Sequence, residues 1–344
     1  MSGTQDLLRR TSRALLLLLV VAGVLLGPAA PAAAHGGEAP DATAYRITVT
    51  GIDPPRPGLT VRAVEAGTRL ELTNDTGRPV EVLGYSGEPY LEVRPDGTYE
   101  NVHSPATYLN RTLAGDTPVP ATAAPTATPQ WRRVSTGTTV RWHDQRLQWR
   151  AGDPPPAARA DPSRPHRLRT WTVPLRDQTQ IFEVRGTLDW VPPPRAPLWW
   201  AGALLLAVAV AALGRWRPAL IPAVALVAGT IPIGYAAARA ADSGLPPVLL
   251  AAGLVTLTVA VWRTPFLTAL GGAVLATFGG LAEIGAFGAA VVPSAGPSWF
   301  ARVAVLVALG AGAGLALTGV RRLRASAPRP LRPDVSDRRT KVVP

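Results

Sequence analysis

From residue 45 the chain alternates apolar and polar positions with the period of an extended strand, and from Pro197 it changes to long, unbroken apolar runs. Residues 45–49, 59–64 and 68–73 each place apolar and polar side chains on opposite faces of an extended chain, which predicts half-buried strands. Asn74-Asp75-Thr76-Gly77 is a turn signal, and the alternation resumes over 79–84. Further strands are predicted at 90–93, 138–142, 169–173 and 181–190. Many short alternating strands predict an all-β antiparallel sandwich. Residues 112–129 and 153–165 are rich in Pro, Ala and Thr and read as loops, either as insertions in one sandwich or as divisions between two β-subdomains.

The apolar runs predict a bundle of about five transmembrane helices within 197–320, at 197–214, 218–238, 246–262, 266–292 and 299–320. The third is the shortest. Trp199, Trp200, Trp216, Trp262 and Trp299 fall at predicted span ends, where an amphipathic indole favours the headgroup zone. Residues 1–34 read as a cleaved signal peptide: Arg9, Arg10 and Arg13 precede a short apolar core, and Ala32-Ala33-Ala34 supplies the small-residue cleavage pattern. Residues 35–196 are then an extracytoplasmic β-rich domain and 321–344 a basic cytoplasmic tail. The expected location is the plasma membrane, multi-pass, with the amino-terminal domain outside, and Arg215, Arg217, Arg263 and the tail charges agree with that orientation.

The chain has no cysteine, so an exported domain must be stabilised by its core rather than by disulfides. A formal net charge of +12 would suggest nucleic-acid binding, but the charge is uneven. Residues 35–196 hold 19 Arg against 18 Asp and Glu, whereas the tail from Arg321 holds seven Arg, Lys341 and two Asp. A basic face for nucleic acid on the large domain is therefore not expected. The tail suits anionic lipid or simply fixes orientation.

Chemistry is concentrated in few places. His143 lies in Arg141-Trp142-His143-Asp144-Gln145-Arg146-Leu147-Gln148-Trp149, just after a predicted strand. It reads either as a metal ligand, with Asp144 as second ligand or as the group that orients the ring, or as a hydrogen-bonded histidine closing the core. Gly137-Thr138-Thr139-Val140 followed by this stretch resembles a family of membrane-anchored exported proteins of high-GC Gram-positive bacteria. Members look like Gly-Thr-x-Val-x-Trp-His-Asp-His-Arg-x-His-Trp here, and Gln145 and Gln148 stand where two of their histidines stand. Trp171-Thr172-Val173-Pro174-Leu175 and Gly186-Thr187-Leu188-Asp189-Trp190 are similar to strands that follow in that family. The resemblance implies a signal peptide, a β-rich exterior domain and carboxyl-terminal spans; its three-histidine motif implies copper or zinc. His35, which cleavage after Ala34 would make the amino terminus, resembles the start of exported copper-binding proteins and offers a second route to Cu(II).

Glu283 lies within the fourth apolar run among Gly279, Gly280, Gly285 and Gly288, with Arg239 and Arg302 near the same predicted outer side. An acid at depth reads as a proton or cation site, or as the partner of a buried arginine. No Gly-x-Ser-x-Gly elbow or phosphate-binding Gly-x-x-x-x-Gly-Lys pattern occurs, and no enzyme activity is expected. Three readings follow: a non-enzymatic envelope protein whose β-domain binds a ligand or a protein partner, an accessory protein in copper handling using His35 and His143, and a small transporter or channel component centred on Glu283.

Overall fold

The computed structural model describes residues 41–326, so the predicted signal peptide, His35 and the tail beyond Ser326 lie outside the described residues. Ten strands form two antiparallel sheets. The larger has the order β1-β10-β9-β4-β5-β6-β7, from β1 (Tyr45–Asp53), β10 (Gln180–Trp190), β9 (His166–Asp177), β4 (Val80–Leu83), β5 (Pro89–Arg94), β6 (Gly97–Asn101) and β7 (Trp131–Ser135). The smaller has the order β2-β3-β8, from β2 (Leu59–Val64), β3 (Arg69–Asn74) and β8 (Thr139–His143). One buried core runs through both: Leu70, Leu72, Val140 and Trp142 of the smaller sheet meet Val82, Leu91, Val173, Leu175, Phe182 and Val184 of the larger. The two Pro-rich stretches are thus insertions in a single sandwich.

Alternation explains the long hairpin β9–β10. Trp171, Val173 and Leu175 face Phe182, Val184 and Leu188 inward, while Thr172, Arg185 and their neighbours face out. Gly186 interrupts the inward row because the Trp171 ring lies where its Cβ would be, with the Thr48 carbonyl behind it. At the predicted turn, Asn74 accepts from Thr76 N–H through its Oδ1, at 3.1 Å. Its amide donates to Arg78 O and Val93 O at 2.7 and 2.9 Å, which ties the crossing from β3 to the other sheet. β6 and β7 were not legible in the sequence: β6 is the polar run Gly-Thr-Tyr-Glu-Asn, and β7 is an edge strand bearing the exposed Arg132 and Arg133. Short helices α1 (Pro105–Leu109) and α2 (Pro156–Ala160) interrupt the loops.

The five apolar runs are helical. α3 (Ala196–Trp216), the segment Pro218–Ser243 containing α4 (Ile221–Ser243), the segment Pro265–Phe287 and α7 (Ser298–Ser326) are each long and apolar enough to cross a membrane. α5 (Pro247–Trp262) has 16 residues, about 24 Å of helix against a ~30 Å hydrocarbon layer. Contacts nevertheless fix its course. Arg239 near the end of α4 pairs with Glu283 near the end of Pro265–Phe287, so those two run parallel and α5 must return between them. Along α7, Gly310 and Gly314 lie on Ala203 and Val210 of α3, and Gly312 and Gly319 on Ala276 and Ala269. α7 is therefore parallel to α3 and antiparallel to Pro265–Phe287. Small residues at each crossing let the backbones approach closely, which is how helices gain packing energy in lipid.

Candidate functional site

The sandwich sits on the bundle end where α3 and α7 begin and α4 ends. Thr43 and Val291 exchange two backbone hydrogen bonds, both 2.9 Å, and Ala42 packs among the apolar residues of the bundle. The β2–β3 turn supplies a further contact. Glu65, Ala66 and Gly67 all adopt positive φ (58°, 57° and 87°), and at Gly67 a Cβ would strike Ile47 at 2.9 Å. Left-handed Glu65 and Ala66 cost about 1 kcal/mol each. The turn directs the Glu65 N–H onto the Asp242 carboxylate of α4, 3.0 Å away.

Behind this contact the smaller sheet carries a ladder of charges. Arg62, Glu71 and Arg141 are opposite one another across β2, β3 and β8. Glu71 accepts from Arg62 Nε and Arg141 Nε, both at 2.6 Å. Burial works against its ionisation, but these hydrogen bonds and charges hold its carboxyl below the usual range. Glu65 is within 3.3 Å of Arg69 and 3.5 Å of Arg141, yet burial dominates and pushes its carboxyl up.

His143 lies one pair along the same ladder, opposite Arg69. It is buried, with Nδ1 2.9 Å from Thr68 O and Nε2 3.1 Å from Arg69 Nε. These partners fit a neutral ring that donates through Nδ1–H and accepts at Nε2. Asp144 does not orient that ring. Its carboxylate accepts from the Arg146 guanidinium at 2.7 and 2.8 Å, from Arg146 N–H at 3.0 Å and from the Trp142 indole at 3.2 Å. The residues at the motif's two glutamines also have structural tasks: Gln145 Nε2 donates to Leu109 O at 3.2 Å, while Gln148 Nε2 donates to Gly67 O at 3.0 Å. Among the described residues no group of three or more His, Asp or Glu is placed to hold a metal; His35, the other ligand offered by the sequence, lies outside them. His103 hydrogen-bonds to Thr128 O in a loop, and His166, the first residue of β9, to Asp161 O.

Two cavities open along the seam. One, of about 670 Å³, is walled by His143, Gln148, Thr68, Tyr45, Leu113 and Asp41. The other, of about 710 Å³, lies between the sandwich residues Arg46, Ala63 and Gly67 and the bundle residues Asp242, Trp299 and Arg302. Both fall within the range of small-molecule sites.

Below the seam, Glu283 receives Arg239 Nη1 on both carboxylate oxygens at 2.6 Å and the Tyr235 hydroxyl at 3.1 Å. The pair is nearly buried, its side chains 14% and 16% exposed, beside a cavity of about 170 Å³ to which Asp41 and Ala42 contribute. Of the two arginines that the sequence offered, Arg302 is occupied elsewhere: it donates to the carbonyls of Ala286, Ala289 and Ala290 at 3.0–3.1 Å. The fourth span is not a uniform helix at this depth. α6 (Pro265–Val274) passes into a π-helical turn at Leu275–Gly280 and then a 3-10 stretch at Leu281–Phe287. Gly280 rests on the backbone of Leu309, where a Cβ would come within 2.9 Å. Tyr235 and Asp242 were not singled out from sequence. An aromatic and an acid near the end of an apolar run give no signal until the partner helix is placed.

No family model, no curated protein and no solved structure matches the chain.

Proposed function

We propose that the chain is a non-enzymatic protein of the plasma membrane whose sandwich, held outside the cell, recognises a ligand or an envelope protein where it meets the bundle. The observation that carries this reading is the 670 Å³ cavity of His143, Gln148, Tyr45 and Asp41, which also borders Ala42 and Thr43, the residues that join the sandwich to the bundle. The orientation rests on charge. Arg215, Arg217, Arg263, Arg321, Arg322 and Arg324 gather at the bundle end away from the sandwich, against Arg195, Arg239 and Arg302 at the near end, where Asp242 and Glu283 offset two of them. A photo-crosslinker at Leu113, on the cavity wall, is expected to yield a discrete adduct in intact cells that Gln148→Ala removes. No adduct, or the same adduct from a control position at Thr136, would count against the reading.

A second reading places a proton or cation pathway at Glu283. It is favoured by the π and 3-10 turns beside the acid, since irregular backbone at membrane depth is tolerated where protein buries it or a cavity adjoins it. Glu283→Gln should then abolish a solute or proton flux in proteoliposomes while insertion stays normal. Unchanged flux would dismiss it.

A further inference from the structure

At the bundle end away from the sandwich, the last turns of α3 and α7 border a cavity of about 550 Å³. Its walls are Ala211, Gly214, Thr318 and Ala325, and its rim is Arg215, Arg321 and Arg322. All three arginines are exposed, and none has an ion-pair partner among the described residues. The two acids of the described bundle, Asp242 and Glu283, lie at the opposite end. Three cations therefore surround a recess with no described counter-charge. They stand at headgroup depth, since Trp216 and Trp262 mark the same end of the bundle.

The recess has a second property. Below the arginines it is lined by small side chains, and Leu204 and Val208, two turns before Ala211 and Arg215 and so on the same face of α3, are exposed. A bound group with an anionic head and an apolar body would meet guanidinium groups at one end and this aliphatic surface at the other. Guanidinium forks match phosphate oxygens. A free phosphate would use only the rim. The occupant that uses both parts is a phospholipid.

We propose that this recess is a specific site for one anionic phospholipid, its phosphate held by Arg215, Arg321 and Arg322 and its acyl chains laid against α3 and α7. It is more than a general attraction of basic residues to an anionic surface, because only some of the arginines at this end line it. Arg324, one turn from Arg321 on α7, does not. The site does not depend on which ligand the sandwich binds.

The test uses the full-length protein in neutral detergent, with native mass spectrometry reading retained lipid after addition of phosphatidylglycerol or phosphatidylcholine. One phosphatidylglycerol should be retained in clear preference to phosphatidylcholine. Arg215→Gln and Arg321→Gln should each weaken it about fivefold, the effect of ~1 kcal/mol per near-surface charge, and the double variant more. Arg324→Gln, with the same change in net charge, should leave it intact. These side chains are exposed, so the variants are expected to fold, and circular dichroism checks that they do. Equal retention of the two lipids, or an equal loss in Arg324→Gln, would overturn the proposal. So would thermal stabilisation by millimolar inorganic phosphate in phosphatidylcholine nanodiscs that matches the effect of phosphatidylglycerol, which would make the occupant a soluble anion.

Discussion

Glu65 and Glu71 stand close together, both reached by Arg141, and are driven in opposite directions. Two arginines grip Glu71 at hydrogen-bonding distance, whereas Glu65 has longer contacts and deeper burial. The sign of the pH dependence differs accordingly. Glu71, with its folded value depressed, contributes stability that is present above the unfolded value of about 4.3 and lost as pH falls through the folded one. Glu65, with its folded value raised, favours the folded state in acid and withdraws that contribution as pH rises from the unfolded value through the folded one. Glu71→Gln is therefore expected to lower stability at neutral pH by about 1–2 kcal/mol, a loss that vanishes in acid; Arg62 is half-exposed, so solvent screening keeps the figure small. Glu65→Gln should instead remove the decline in stability that accompanies the rise in pH from the unfolded value through the folded one. Denaturation followed by tryptophan fluorescence across pH checks both, and parallel profiles for the two variants would refute the assignment. None of this ladder was legible in the sequence, because the positions of Arg62, Glu71 and Arg141 become one row only when the strand register is known. His143 was legible as a place of concentrated chemistry. Its role was not, since Thr68 and Arg69, which take up its two nitrogens, lie at the entry to β3, 75 and 74 residues earlier in the chain.

Elements were read more securely than residues. The strands with alternating apolar positions lie where the pattern placed them because one face of each is buried and the other is not, and that contrast is local. β6 escaped because its buried positions are polar or small: Thr98, Glu100 and Asn101 are buried but hydrogen-bonded, Thr98 to Gly137 O and Asn101 to Pro89 O, whereas β7 is an edge strand that buries no residue and exposes Arg132, Arg133 and Ser135. In the bundle, the glycines of α7 were visible as small residues, but not which helices they admit. Gly312 lies against the backbone of Ala276, where a Cβ would come within 2.7 Å of its nitrogen. Gly312→Leu should force α7 from the fourth span and lower thermal stability in detergent by several degrees, of the order expected for 1–3 kcal/mol of overpacking. Substitution of the exposed Leu317 by Ala should leave the melting temperature close to wild type. Equal effects would mean that the α6–α7 contact carries no special weight.

For the whole molecule, the decisive relation is that sandwich and bundle are docked through Thr43–Val291 and Glu65–Asp242. Because the chain lacks cysteine, single cysteines report sidedness cleanly. A cysteine at the exposed Thr136 should react with an impermeant maleimide in intact cells, whereas one at Ser326 should react only after the membrane is opened. The reverse pattern would invert the proposed topology and move the seam cavities to the cytoplasm. The short α5 makes this test informative, since its 16 residues fall below the length that a span ordinarily needs, and only its return along the bundle follows from the parallel course of its neighbours.

Sequence alone determined the class of each half, a β-sandwich followed by apolar helices, because hydrophobic period and run length are properties of neighbouring residues. It also marked Glu283 as an acid that needs a partner, since burial of a carboxylate in an apolar run is costly wherever the helix goes. Only the tertiary structure decided that Arg239 and Tyr235, not Arg302, are the partners, that His143 is held by a backbone carbonyl and an arginine, and that Asp242 anchors the sandwich. Each of these depends on register or on which helix lies beside which. Those are set by packing between segments far apart in the chain, and they leave no imprint on local pattern.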